Sequence, residues 1–161
     1  TSSHYPFLRS EGIFLLSFIT INFSASPEDA DYMAGLFQHP DNKTLIAESP
    51  LLIYAASVYY LHNGKNNLAL NLLLNRPKGA AYYPFYYLEY LTGLAELNKL
   101  NPGAKLYFLR FVFSFKGKNF IKSAYQRIAW IELLNHNIAG YNEYMERRQS
   151  FSGVNLVSTD L

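Results

Sequence analysis

Four histidines, twelve carboxylates and no cysteine bound the chemistry open to this chain of 161 residues. His4, His39, His62 and His136 include no pair at the four-residue spacing that would set two imidazoles on one helix face, and no His-Glu-x-x-His run occurs. The lack of cysteine removes thiolate zinc sites, disulfides and cysteine nucleophiles together. No phosphate-cradling glycine-rich loop and no Gly-x-Ser-x-Gly elbow is present, so phosphoryl and acyl transfer lack their usual machinery. Among the carboxylates, Glu28, Asp29 and Asp31 cluster where a helix begins, while Glu143 and Glu146 share a polar face with Arg147 and Arg148. Nothing in the sequence sets a cleft between either group, as a glycosidase pair requires. The expectation is a chain with no catalytic residues, no metal and no cofactor, and therefore not an enzyme.

Two constellations fit binding. Glu89, Thr92, Glu96 and Lys99 recur at spacings of three, four and three, which places them in one narrow stripe on an otherwise apolar and aromatic helix from Pro84 to Lys99. Glu96 also stands 36 residues after Tyr60 and 36 before Glu132, so these three share one slot of a repeat. Tyr60, Glu89, Thr92, Glu96 and Glu132 are thus the candidate ligand contacts, weighed against the plainer reading of solvated helix residues. The second constellation is basic: Lys99, Lys105, Arg110, Lys116, Lys118, Lys122 and Arg127 follow one another with no acid between them, interleaved with Tyr107, Phe108, Phe111 and Phe120. Residues 99–127 so arranged suit a polyanion. Those rings fall on the side expected to pack, however, and such a run ordinarily forms a solvated face, which argues against a nucleic-acid partner.

The elements that must hold these residues read as helices throughout, because no stretch sustains the period-two alternation of a strand. Eight are expected. The first runs from Glu11 to Phe23; its core GIFLLSFITI, Gly12 to Ile21, is about half a bilayer span and reads as a core helix, leaving no transmembrane segment. The second starts at Ser26-Pro27-Glu28-Asp29, with a cap, a first-turn proline and acids at the positive end of the dipole. His39 to Thr44 reads as a loop. Three hairpins follow: Pro50–Asn63 with Lys65–Asn75, Pro84–Lys99 with Pro102–Phe115, and Ile121–Asn135 with Ile138–Gln149. In the first of these, Asn67, Asn71 and Asn75 give the second helix one solvated face, as expected of an outer layer.

The three hairpins are in register at 36 residues. Ser57, Gly93 and Ala129 are small; Val58, Leu94 and Trp130 beside them are large and apolar; Leu61, Leu97 and Leu133 coincide. Small residues let a neighbouring helix approach, and large ones fill the groove. A hairpin recurring at about 34 residues with such contacts resembles the tetratricopeptide repeat, although Ile53, Glu89 and Tyr125 stand where its opening tryptophan would be and only Gly64 keeps a turn glycine. SFKGKNFIKSAYQRIAWIELL, Ser114 to Leu134, together with NRPKGAAYYPFYYLEYLTGLAELNKLNPGAKLYF before it, is similar to the C-terminal region of a group of bacterial tetratricopeptide-repeat proteins. That resemblance covers roughly Ser49 to Asn155 and brings no catalytic residues with it.

What the resemblance implies is an all-α, right-handed superhelix of antiparallel hairpins, about 11–38, 50–75, 84–115 and 121–149, forming one helical-repeat domain. First helices would line a concave wall that holds a protein or peptide partner. Two alternatives stand beside this: a glycan or small-molecule binder of the cell envelope using exposed tyrosines, and a polyanion binder. Half of the residues are apolar and 17% aromatic, mostly 14 Tyr and 12 Phe, which supplies a core and excludes a disordered chain. The net charge of +2 hides a basic half, since residues 98–161 carry nine basic against four acidic side chains. Because the chain opens on Thr it reads as a piece of a longer protein, with compartment and oligomeric state left open.

Overall fold

The computed structural model describes residues 6–23, 27–79 and 84–152. Among these residues there are nine helices and no strand: α1 Pro6–Phe23, α2 Pro27–Gln38, α3 Pro40–Glu48, α4 Pro50–His62, α5 Asn66–Leu74, α6 Tyr87–Asn98, α7 Ala104–Ser114, α8 Ile121–Leu134 and α9 Ile138–Ser150. The protein is all-α. The chain divides into two compact units, Thr1–Phe85 and Tyr86–Leu161.

In the first unit α4 is the axis, packed against α1, α3 and α5. Its sequence is apolar on every side, and Leu52, Ile53, Ala56 and Ser57 have no exposed surface, as a helix covered on several flanks requires. The stretch expected to be a loop, from His39 to Thr44, is instead the start of α3. His39 adopts extended backbone (φ −60°, ψ 130°), its Nδ1 accepts from the Asp41 N–H at 3.3 Å, and Pro40 takes the first helical position. His-Pro-Asp is thus a helix start whose capping residue is an imidazole. Ser49 then closes α3 and caps α4, its hydroxyl accepting from the Leu52 N–H ahead of Pro50. Asn42 is buried and ties three helices: its amide donates to the Leu36 carbonyl at 2.8 Å and its Oδ1 accepts from Arg9 at 2.6 Å.

The reading of α1 as a core helix needs correction. Among its described side chains Ile13 and Ser17 are the buried ones, whereas Leu15, Leu16, Phe18 and Ile19 are exposed. Ser17 has no exposed surface, and its hydroxyl donates to the Ile13 carbonyl, so a small residue seats the helix while Leu8, Leu15, Leu16, Phe18 and Ile19 face outward. The capping residue expected at Ser26 lies outside the described residues. No single described helix is long and apolar enough to cross a membrane; α3 and α4 meet that test only together, across a 113° bend.

The second unit is built on rings. Tyr90 of α6 packs against Phe108, Phe111 and Phe120 at centroid distances of 5.6, 5.4 and 5.3 Å, and its hydroxyl meets Ser123 Oγ at 2.7 Å. Gly93 lies under Phe108, whose ring comes within 2.9 Å of where a Cβ would stand. Each ring so buried contributes roughly 1.5–3 kcal/mol. The helix expected from Pro84 begins later, at Tyr87, with Pro84 exposed outside it. Phe85 packs edge-on against Tyr54 in the first unit, while Tyr87 packs against Phe111, Phe115 and Phe120 in the second. The helix starts only past that division, so side-chain packing overrides the proline signal.

Candidate functional site

The hairpin junctions recur with the sequence period. Gly64, Leu100 and His136, 36 residues apart, all take left-handed backbone, with φ of 68°, 56° and 58°. The N–H of the following residue reaches back to close each turn: Lys65 to the Tyr60 carbonyl at 2.7 Å, Asn101 to Glu96 at 3.0 Å, and Asn137 to Glu132 at 2.8 Å. This six-residue bond beside a left-handed residue is the Schellman end of a helix. Tyr60, Glu96 and Glu132 are therefore the carbonyls on which three turns close, whatever their side chains do.

In two of the three junctions the side chains close the turn again. Asn101 Nδ2 donates to Glu96 Oε2 at 2.7 Å, and its Oδ1 accepts from the Gly103 N–H at 2.9 Å. Asn137 Nδ2 donates to Glu132 Oε2 at 2.6 Å, and its Oδ1 accepts from the Gly140 N–H at 3.0 Å, capping α9. One asparagine thus joins the end of a first helix to the start of the second. Glu132 is further held by Lys105 Nζ at 2.5 Å, and that ammonium also lies 5.4 Å from the centroid of the Tyr144 ring. The hydrogen bond from Lys105, followed by that from Asn137, holds the Glu132 carboxyl below its ordinary value against the opposing effect of burial; the same bond raises Lys105.

The structure sorts the five candidate contacts accordingly. Thr92 has no exposed surface, and its hydroxyl donates to the Leu88 carbonyl, so it offers a partner nothing. Glu132 is 5% exposed and engaged as above. Glu96 is half-buried and engaged by Asn101, and Glu89 is half-buried in the first turn of α6. Tyr60 borders an open cleft. With Lys65 in place of the clamping asparagine and an aromatic in place of the glutamate, its side chain is released from the junction. It lines a cleft of about 590 Å³ in the first unit, whose apolar walls are Phe37, Ile46, Leu68 and Leu72 and whose polar groups are Gln38, Lys43 and Asn71. The Tyr60 ring is 6% exposed and 6.2 Å from Phe37, and burial raises its hydroxyl above the ordinary value of 10.0, so it stays protonated at neutral pH.

A second open surface lies in the second unit, where Leu97, Leu100, Pro102, Ile131 and Leu134 line a groove of about 230 Å³. Leu134 follows Trp130 by one helical turn, and Trp130 and Leu133 are 38% and 44% exposed. The expectation that Trp130 fills a groove like Leu94 is corrected: Leu94 is 3% exposed, whereas Trp130 faces out with the Arg127 guanidinium 4.7 Å above its ring. The basic stretch does not form one track, since Lys105 is paired with Glu132, Arg110 lies over Tyr107 and Arg127 over Trp130. Phe108 and Phe111 are wholly buried and cannot stack on bases. Among the described residues no group of three or more His, Asp or Glu side chains could hold a metal.

The clamping asparagines and Lys43 are not among the residues whose type and spacing point to function in the sequence. The glutamate followed five residues later by asparagine, in both 96–101 and 132–137, was the visible signal for the clamp. Nothing local signalled Lys43, which joins the cleft only because α3 is a helix. No protein-family model, curated protein or solved structure matches the chain.

Proposed function

We propose that this chain is a non-catalytic interaction module of tetratricopeptide type, whose hairpins stack in a right-handed superhelix and hold a protein or peptide partner. The observation that carries this reading is the 36-residue recurrence of a left-handed residue and a Schellman bond at three hairpin junctions. Such recurrence is what a repeat array requires, because each hairpin leaves an apolar flank for its neighbour. The exposed strip of Trp130, Leu133 and Leu134 is the surface best suited to a partner, since an aromatic anchor beside leucines and an arginine has the composition of an interface centre. Glu89 and Glu96 retain enough exposure to contribute at the edge.

Selection of peptides from a displayed library against the full chain tests this directly. A common sequence pattern should emerge whose binding is lost in Trp130→Ala and Leu134→Ser, with unchanged circular dichroism. Failure to enrich any pattern, or binding indifferent to both substitutions, would contradict the reading.

A further inference from the structure

We propose that the cleft of the first unit is a binding site for a small amphipathic acid: an apolar chain between Phe37, Ile46, Leu68 and Leu72, with its carboxylate at Lys43, Asn71 and the Tyr60 hydroxyl. This site does not depend on the interaction reading above, which uses residues of the second unit.

The cleft exists because the first hairpin departs from the pattern of the other two. In those, the slot side chain is committed to its own turn through Glu96–Asn101 and Glu132–Asn137. In the first, Tyr60 and Lys65 stand at the corresponding positions, and the tyrosine becomes a wall. The volume of about 590 Å³ lies within the range of small-molecule clefts, which are mostly apolar with a few placed polar groups.

The polar groups are biased towards donation. Lys43 is an ammonium with no ion pair among the described residues, and no acid lines the cleft. Asn71 Oδ1 already accepts from Asn75 Nδ2 at 2.6 Å, which occupies one of its two lone pairs and leaves both amide hydrogens of Asn71 for a ligand. The Tyr60 phenol supplies a third donor, and Gln38 can serve either way. Three donors and no anion around an apolar floor select an acceptor carrying negative charge, and they disfavour a cation of the same shape.

The test is titration of the isotope-labelled full chain with decanoate, followed by NMR, alongside decylamine, decanol and acetate. Decanoate should shift the resonances of Lys43, Leu68, Asn71 and Leu72 saturably; decylamine and acetate should not, and decanol should bind more weakly. Lys43→Gln, at an exposed position, should weaken decanoate roughly three- to ten-fold without weakening decanol. Leu72→Trp, which fills the cleft, should abolish binding of both while the chain stays folded by its amide spectrum. Equal binding of decanoate and decylamine, shifts confined to other residues, or no saturation would each overturn the proposal.

Discussion

At Leu100 and His136 a side chain with a Cβ occupies backbone that favours glycine. Left-handed φ at such residues costs about 1 kcal/mol relative to glycine. Leu100 is 75% exposed, so little packing is lost when it is shortened. Leu100→Gly and His136→Gly should therefore each stabilise the chain by about 0.5–1 kcal/mol in urea unfolding, whereas Gly64→Ala should destabilise it by about 1 kcal/mol. Glu132 behaves differently, because its contribution depends on pH. Its carboxyl is depressed below 4.5 when folded, so its stabilising effect is present above that value and is lost as pH falls through the folded one. Lys105 is raised above 10.5, so its effect is present below that value and is lost as pH rises through its folded one. Glu132→Gln should cost about 1–3 kcal/mol on the plateau between the two. Urea midpoints of the variant and the wild type should converge in acid.

At the scale of elements, the hairpin helices were legible because their periodicity and their punctuation agreed. α4, α8 and α9 fall within a residue or so of their expected bounds. Sequence and structure differ where one local signal competes with its neighbours. His39 to Thr44 reads as a loop when His39 is not counted as a cap, yet His39-Pro40-Asp41 starts α3, and Pro84 reads as a first turn although packing of Tyr87 decides where α6 begins. The apolar run in α1 marks where the helix ends, at Phe23, but not its start, which lies at Pro6 rather than Glu11, nor its cover, since hydrophobicity alone does not say which flank meets a neighbour. Of the candidate site, the shared slot of Tyr60, Glu96 and Glu132 was visible from spacing. That two of its members are consumed by an asparagine five residues on depends on turn geometry that spacing does not contain. Asn137→Ala removes both the cap of α9 and the contact to Glu132, and should cost about 1–2 kcal/mol. Asn71→Ala, whose side chain is exposed and bonded to Asn75 at the C-cap of α5, should cost far less.

For the whole molecule, the same hairpin plan serves two ends. Where the slot side chain clamps its own turn, as at Glu132, the junction is tied down by Asn137 and Lys105. Where it does not, as at Tyr60, a cleft opens. Both depend on the three junctions having one geometry. Amide hydrogen exchange on the full chain measures this most directly, at the N–H groups of Lys65, Asn101 and Asn137. All three should be protected to the degree of amides inside the adjoining helices. Free exchange at Asn101 and Asn137, with Lys65 alone protected beside its glycine, would contradict the account.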